Sequence, residues 1–188
     1  RDADSDRPVE GTFVSRRIVL IRAVNVGGAK LPMAELRDMA ADLGATEVST
    51  YIASGNLICS PPADPERFDR ALETALQDRY GWFREVISRS PEQVRAALEA
   101  HPFDVVDDKY SYVYFLTGEP ARDKVAAFER MDFGDDVVRV LGSDLHIRYA
   151  DGAGRSTLTA PVIARGLGVQ GTGRNLRTVR TLLELAGP

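Results

Sequence analysis

The 188 residues carry 24 Lys and Arg against 28 Asp and Glu, a net charge of −4, with 44% hydrophobic residues, 28% charged residues and one cysteine. A chain of this length buries a core without metals or cross-links. The lone Cys59 excludes an internal disulfide and fits a reducing cytoplasm, and the acidic balance disfavours general nucleic-acid binding. No apolar run approaches the roughly 20 residues of a membrane span. Arg1-Asp2-Ala3-Asp4-Ser5-Asp6-Arg7-Pro8 lacks the apolar centre of a signal peptide, and residues 1–15 are expected to form a flexible arm.

From residue 16 the pattern alternates. A strand is predicted over 18–24. A helix follows over 32–43, with Met33, Leu36, Met39, Ala40 and Leu43 on one face, Pro32 in the first turn and Gly44 as the stop. Strands over 48–52 and 57–60 flank the turn Ala53-Ser54-Gly55-Asn56, where Asn56 is expected to take left-handed φ. A helix over 64–80, with Phe68, Leu72 and Leu76 inward, leads to a strand over 83–88. That order, β-α-β-β-α-β, is the ferredoxin-like plan.

A connecting helix over 91–100 then precedes a strand over 111–116, a helix over 121–131, a hairpin of 137–141 and 145–149, a helix over 159–165 and a closing helix over 176–186, with 169–175 as a degenerate last strand. The expected fold is α+β: two ferredoxin-like halves packed into one compact body. Residues 16–89 form the first half, and 90–188 hold a linking helix and the second.

Three segments combine glycine with a cation. Arg22, Asn25, Gly27, Gly28 and Lys30 lie between the first strand and first helix, so that bare backbone N–H groups and positive charge meet. Gly154, Arg155 and Ser156 precede the 159–165 helix, which Ser156 or Thr157 is expected to cap. Gly173, Arg174 and Asn175 repeat that chemistry before the last helix. Arginine grips phosphate or carboxylate with a two-pronged geometry. The glycine-to-lysine spacing is not that of a P-loop, and the third glycine of a dinucleotide fingerprint is missing. Taken alone, Gly27-Gly28 equally suits a tight turn.

Three motifs resemble the bacterial domain-of-unknown-function family 1697. Leu20-Ile21-Arg22-Ala23-Val24-Asn25-Val26-Gly27-Gly28, with Pro32-Met33-Ala34-Glu35-Leu36, is similar to its "LLRGINVGG…VPMAEL". Thr50-Tyr51-Ile52-Ala53-Ser54-Gly55-Asn56 is similar to "TYIQSGN". Gly154-Arg155-Ser156-Thr157-Leu158-Thr159, with Thr172-Gly173-Arg174-Asn175-Leu176-Arg177-Thr178-Val179, is similar to "GRSKLT…TARNWNTV". The resemblance implies a two-part ferredoxin-like fold and no particular activity. Ala23 stands where the family pattern has Gly, Thr157 where it has Lys, and Leu176-Arg177 where it has Trp-Asn.

No catalytic constellation emerges, so whether the protein is an enzyme stays open. Ser54 lacks the surround of a hydrolase nucleophile, Cys59 reads as inert core, and His101 and His146 have no ligand spacing, so no metal and no cofactor are assigned. Tyr110, Tyr112 and Tyr114 alternate onto one strand face, where packing under helices is favoured over base stacking. The favoured function is binding of an anionic small molecule, a nucleotide or sugar phosphate, in a cleft lined by Arg22, Asn25, Gly27, Gly28, Lys30, Gly154, Arg155, Ser156, Arg174 and Asn175. The alternatives are a non-catalytic interaction or dimerisation module using sheet edges and, less favoured, a single-stranded nucleic-acid binder. Oligomeric state is not legible.

Overall fold

The computed structural model describes residues 15–188. Apart from Ser15, the expected arm lies outside them. The first half runs β1 (Arg17–Ile21), α1 (Met33–Asp42), β2 (Thr46–Thr50), β3 (Asn56–Ser60), α2 (Pro65–Tyr80), β4 (Val86–Arg89), and continues into α3 (Pro91–Glu99). The second runs β5 (Ser111–Leu116), α4 (Arg122–Glu129), β6 (Val137–Leu141), β7 (Asp144–Arg148), α5 (Ala160–Leu167), β8 (Gly171–Asn175), and continues into α6 (Leu176–Ala186). Both sheets are antiparallel and share one order, β2-β3-β1-β4 and β6-β7-β5-β8. The expected pair of ferredoxin-like units is therefore present, and the segment expected to be a degenerate strand is a full one.

β8 forms despite two glycines because Tyr114, on the neighbouring strand, lies over them. A Cβ on Gly173 would sit 2.3 Å from the Tyr114 ring, and one on Gly171 2.8 Å from Leu116. The glycines leave room for side chains of β5 rather than weakening a ladder.

Alternation of side chains across the strands gives each sheet two apolar faces. Val19, Ile21, Leu57 and Cys59 pack under α1 and α2 with Leu36, Phe68, Leu72 and Leu76. Leu116, Leu145 and Ile147 pack with Phe128, Ile163 and Leu167 of α4 and α5. The inner faces, Ile18, Leu20 and Ile58 of one sheet and Val113 and Phe115 of the other, share a cluster with Val94 and Ala97 of α3 and Leu176, Val179 and Leu182 of α6. Helices thus lie on both faces of each sheet. The arrangement is α+β throughout, and no described helix is long and apolar enough to cross a membrane.

Three sheet edges are blunted in ways that discourage strand addition. On β4 the Val86 N–H donates to Glu73 Oε2 at 2.9 Å, and its carbonyl accepts from Arg70 Nη2 at 2.7 Å. On β6 the Val140 N–H donates to Glu129 Oε1 at 2.9 Å. On β2 the register shifts between Thr46 and Ser49, with Glu47 at φ 51°.

The two histidines, 45 residues apart in sequence, meet where the end of α3 reaches β7. Their Nδ1 atoms are 2.9 Å apart, one ring donating and the other accepting. Desolvation, and then His101, holds His146 down to about 4; desolvation, then Arg148 and Arg180, lowers His101. A histidine depressed on folding leaves stability unchanged above its unfolded value of 6.5 and erodes it as pH falls toward 4, because only the unfolded chain takes up the proton. Asp69, raised to about 6 mainly by burial, works in the opposite sense over part of that range. The substitution His146→Gln leaves the Asp69 contribution in place, so the acid-side decline in urea-unfolding stability between pH 6.5 and 4 should become shallower than in the native protein. An unchanged slope would remove the pair as the cause.

Candidate functional site

A cavity of about 400 Å³ opens where the C-terminal end of β1 meets β8. Its walls come from both halves: Arg22, Val26, Ile52 and Ser54 from the first, and Tyr112, Tyr114, Arg174, Asn175 and Thr178 from the second. Two arginines and no carboxylate line it.

Arg174 holds the junction. It is 8% exposed, and all five guanidinium N–H groups are engaged. Nε donates to Asn56 Oδ1 at 2.7 Å; Nη1 to Thr172 Oγ1 at 2.6 Å and the Gly173 carbonyl at 2.9 Å; Nη2 to the Ser54 carbonyl at 3.0 Å and the Ile21 carbonyl at 3.4 Å. Every acceptor is neutral, and no salt bridge reaches Arg174 among the described residues. Desolvation lowers its pKa to about 10, so it remains a cation at neutral pH. Buried charges are ordinarily paired. Here hydrogen bonding is complete and charge balance is not.

Arg22 is balanced, its Nε being hydrogen-bonded to Glu85 Oε2 in an ion pair. Its terminal nitrogens, the hydroxyls of Tyr112 and Tyr114 and that of Thr178 make no hydrogen bond among the described residues, leaving donors at the cavity wall. Burial raises both phenols above their ordinary value, so they stay protonated at neutral pH. Asn175 is the cap of α6, its Oδ1 accepting from the Thr178 N–H at 2.9 Å. Ala160, the first residue of α5, also reaches the wall. Two helix N-termini therefore add to the positive field.

The other expected site residues fall elsewhere. Asn25, Gly27 and Lys30 border a shallow cavity with Leu31 and Met33. Asn25 braces that loop: its Nδ2 donates to the Leu31 carbonyl at 2.9 Å and the Ala53 carbonyl at 2.6 Å, and its Oδ1 accepts from the Leu31 N–H at 2.8 Å. Gly27 takes φ 81°, whereas Gly28 is exposed and would meet nothing with a Cβ. Arg155 and Ser156 line a third cavity with Asp132, Asp135, Asp136 and Asp151, whose field repels anions. Gly154 lies beside them in a short 3-10 turn, Ala153–Arg155.

Ser156 does not cap α5. Its hydroxyl donates to Asp136 Oδ2 at 2.6 Å and accepts from the Leu158 N–H at 2.9 Å, while the cap position falls on Thr159 without a side-chain bond. Arg22, Arg174 and Asn175 thus share one cavity, and the single cleft expected of all three segments is divided among three. Among the described residues no group of three or more His, Cys, Asp or Glu is placed to hold a metal. Burial pushes the Cys59 thiol up to about 12, which keeps it unreactive.

The cavity mouth is strained. Ala23 and Ile52, both in its lining, have φ of 53° and 48°, the left-handed region that costs an ordinary side chain about 1–2 kcal/mol. Asn56, expected there, begins β3 instead; Gly55 takes the turn at φ 80°, where a Cβ would lie 2.9 Å from the Ile21 carbonyl. Exposed Val26 and Ile52 give the mouth an apolar rim.

A model of the family described as "Protein of unknown function (DUF1697)" matches residues 14–146, and the chain belongs to that family. Among solved structures, the conserved bacterial protein SP0830 from Streptococcus pneumoniae is similar, with 27% identity and a TM-score of 0.71 over 92% of this chain and 98% of that one. No curated protein matches.

The φ of 53° at position 23 is one that glycine adopts freely. Ala23→Gly should therefore raise urea-unfolding stability by up to about 1 kcal/mol, the relief of strain exceeding the extra unfolded-state freedom of glycine. A loss of stability would show that Ala23 is not strained.

Proposed function

We propose that this member of the DUF1697 family binds an anionic small molecule, a nucleotide or sugar phosphate, in the cleft between β1 and β8. The observation that carries the reading is the Arg174 cation, buried without a carboxylate in the wall of a cavity that contains none. With its five N–H groups committed, Arg174 acts through its field. The contacts themselves fall to the terminal nitrogens of Arg22, the tyrosine hydroxyls and Thr178. An anion seated there would supply the missing charge in a partly desolvated site, where the attraction is stronger than in water. The apolar rim of Val26 and Ile52 favours a ligand with a flat or hydrophobic part beside its charge, as a nucleotide has.

The alternatives have less support. A single-stranded nucleic-acid platform needs an open sheet face with stacking aromatics, and both sheets are covered by helices on both faces. Edge-to-edge dimerisation is opposed by the blunted edges of β2, β4 and β6.

Thermal unfolding with inorganic pyrophosphate and a nucleoside triphosphate at low ionic strength tests the reading. Saturation at 100 times Kd should add about 2.7 kcal/mol of stability. Arg22→Gln should abolish most of that gain, and Lys30→Gln or Arg155→Gln should keep it. No stabilisation by any anion, or a gain that survives Arg22→Gln but not Arg155→Gln, would refute the assignment.

A further inference from the structure

The two halves correspond residue by residue around their junctions, a match given by strand register. Ile18 pairs with Arg89 on one side and Ile58 on the other; Val113 pairs with Arg174 and His146. Leu20 faces Asn56 as Phe115 faces Asp144. The bond from the Ile21 N–H to the Gly55 carbonyl, 2.9 Å, is repeated by Leu116 and Ser143 at 2.9 Å. That from Arg22 to the Glu85 carbonyl, 3.0 Å, is repeated by Thr117 and Gln170 at 2.8 Å. Ser90 caps α3 one residue after Arg89, as Asn175 caps α6 one residue after Arg174.

Arg89 is thus the counterpart of Arg174, and it too reaches into the opposite half. Its Nη2 donates to the Leu116 carbonyl at 2.8 Å, as Arg174 does to the equivalent Ile21 carbonyl, and to the Ser143 carbonyl at 3.4 Å, where Arg174 uses Ser54, one residue before the equivalent position. It lines a further cavity, of about 580 Å³, in which Arg17, Gln93 and Thr117 take the places of Tyr112, Thr178 and Arg22.

One position changes the charge balance. Where Arg174 faces the neutral amide of Asn56, Arg89 has Asp144, with Oδ1 4.0 Å from Nη2. Arg17, the other cation of that cavity, donates to Ser88 Oγ at 3.0 Å, and Ser88 in turn donates to Asp69 Oδ2 at 2.6 Å. The Arg89 cavity therefore has two cations, one carboxylate in its lining, Asp144, and a second, Asp69, behind Ser88. The Arg174 cavity has Arg22 matched by Glu85 and Arg174 matched by nothing.

We propose that the Arg89 cleft is a symmetry-related copy of the anion cleft, closed to anions by Asp144 as a built-in counter-ion, so that Asn or Asp at this one position decides which cleft accepts an anionic ligand. The inference rests on the reading of the Arg174 cleft for the claim that the first copy is occupied, but not for the claim about Asp144. Asp144 Oδ1 is buried and makes no hydrogen bond, so this oxygen meets Arg89 through the ion pair alone. Asp144→Asn keeps the shape and removes the charge.

The test is the number of inorganic pyrophosphate ions bound per chain by isothermal titration calorimetry at about pH 8, where carboxylates are ionised. Circular dichroism and a cooperative unfolding transition confirm that each variant is folded. The native protein should bind one ion and Asp144→Asn two, with the added site lost on combining it with Arg89→Gln. Asn56→Asp, which gives Arg174 a counter-ion, should weaken the native site by about tenfold or more. One ion bound by both proteins, or two by the native protein, overturns the role of Asp144 and leaves the Arg174 cleft standing. None by the native protein and one by Asp144→Asn overturns the Arg174 reading and supports Asp144. None by either overturns both.

Discussion

The guanidinium of Arg174 is buried at the junction of two sheets, with five neutral acceptors and no counter-charge. Transferring such a group from water costs several kcal/mol unless hydrogen bonds and charge partners replace hydration. The hydrogen bonds are supplied by Asn56, Ser54 and Ile21 from the opposite half and by Thr172 and Gly173 from its own. The same bonds fix the spacing of β8 against the turn before β3, and so the width of the cleft. What they do not supply is negative charge. The field left over points into a cavity whose lining has no acid to absorb it, and an anion is the simplest group that would.

The surroundings follow from that arrangement. The turn 52–55 presents the Ser54 carbonyl to Arg174 while Gly55 closes against Ile21, and Ile52 within it takes left-handed φ. Strain of this kind persists only where packing on both sides holds it, and it is commonest at binding sites. Asn25 supports the turn from behind through the Ala53 carbonyl, so Asn25, the two glycines and Lys30 lie behind or beside the cleft, while Arg22 and Val26 of the same loop line it. Tyr114 completes the opposite side by lying across Gly173, a placement any larger residue there would block.

Much of the fold was legible because its signals are local. Periodic apolar positions such as Leu36, Met39 and Ala40, with Pro32 just before α1 and Gly44 just after it at φ 93°, mark that helix, and alternating strands set the ferredoxin-like order. The family resemblance was legible in the first two motifs, which fall within the matched residues, while the third lies beyond them. The site was legible only in part. Arg22, Arg174 and Asn175 came together, but glycine beside a cation also describes the acidic turn around Arg155 and the open loop at Lys30, and only the fold reveals which carboxylates stand nearby. Asn56 was read as a turn residue because its partner lies 118 positions away. One signal was available: an arginine immediately followed by a helix cap, Arg89-Ser90 and Arg174-Asn175, closes each half and marks the two equivalent junctions. His101 and His146 carried no such mark, since tertiary packing alone joins them.

The central claim, that the unbalanced charge of Arg174 defines an anion cleft, is tested most directly by a crystal structure of the protein grown with pyrophosphate. The ion should lie between β1 and β8, within hydrogen-bond distance of Arg22 and at least one of Tyr112, Tyr114 and Thr178. An empty cleft, or pyrophosphate held only at Lys30 or Arg155, would contradict it.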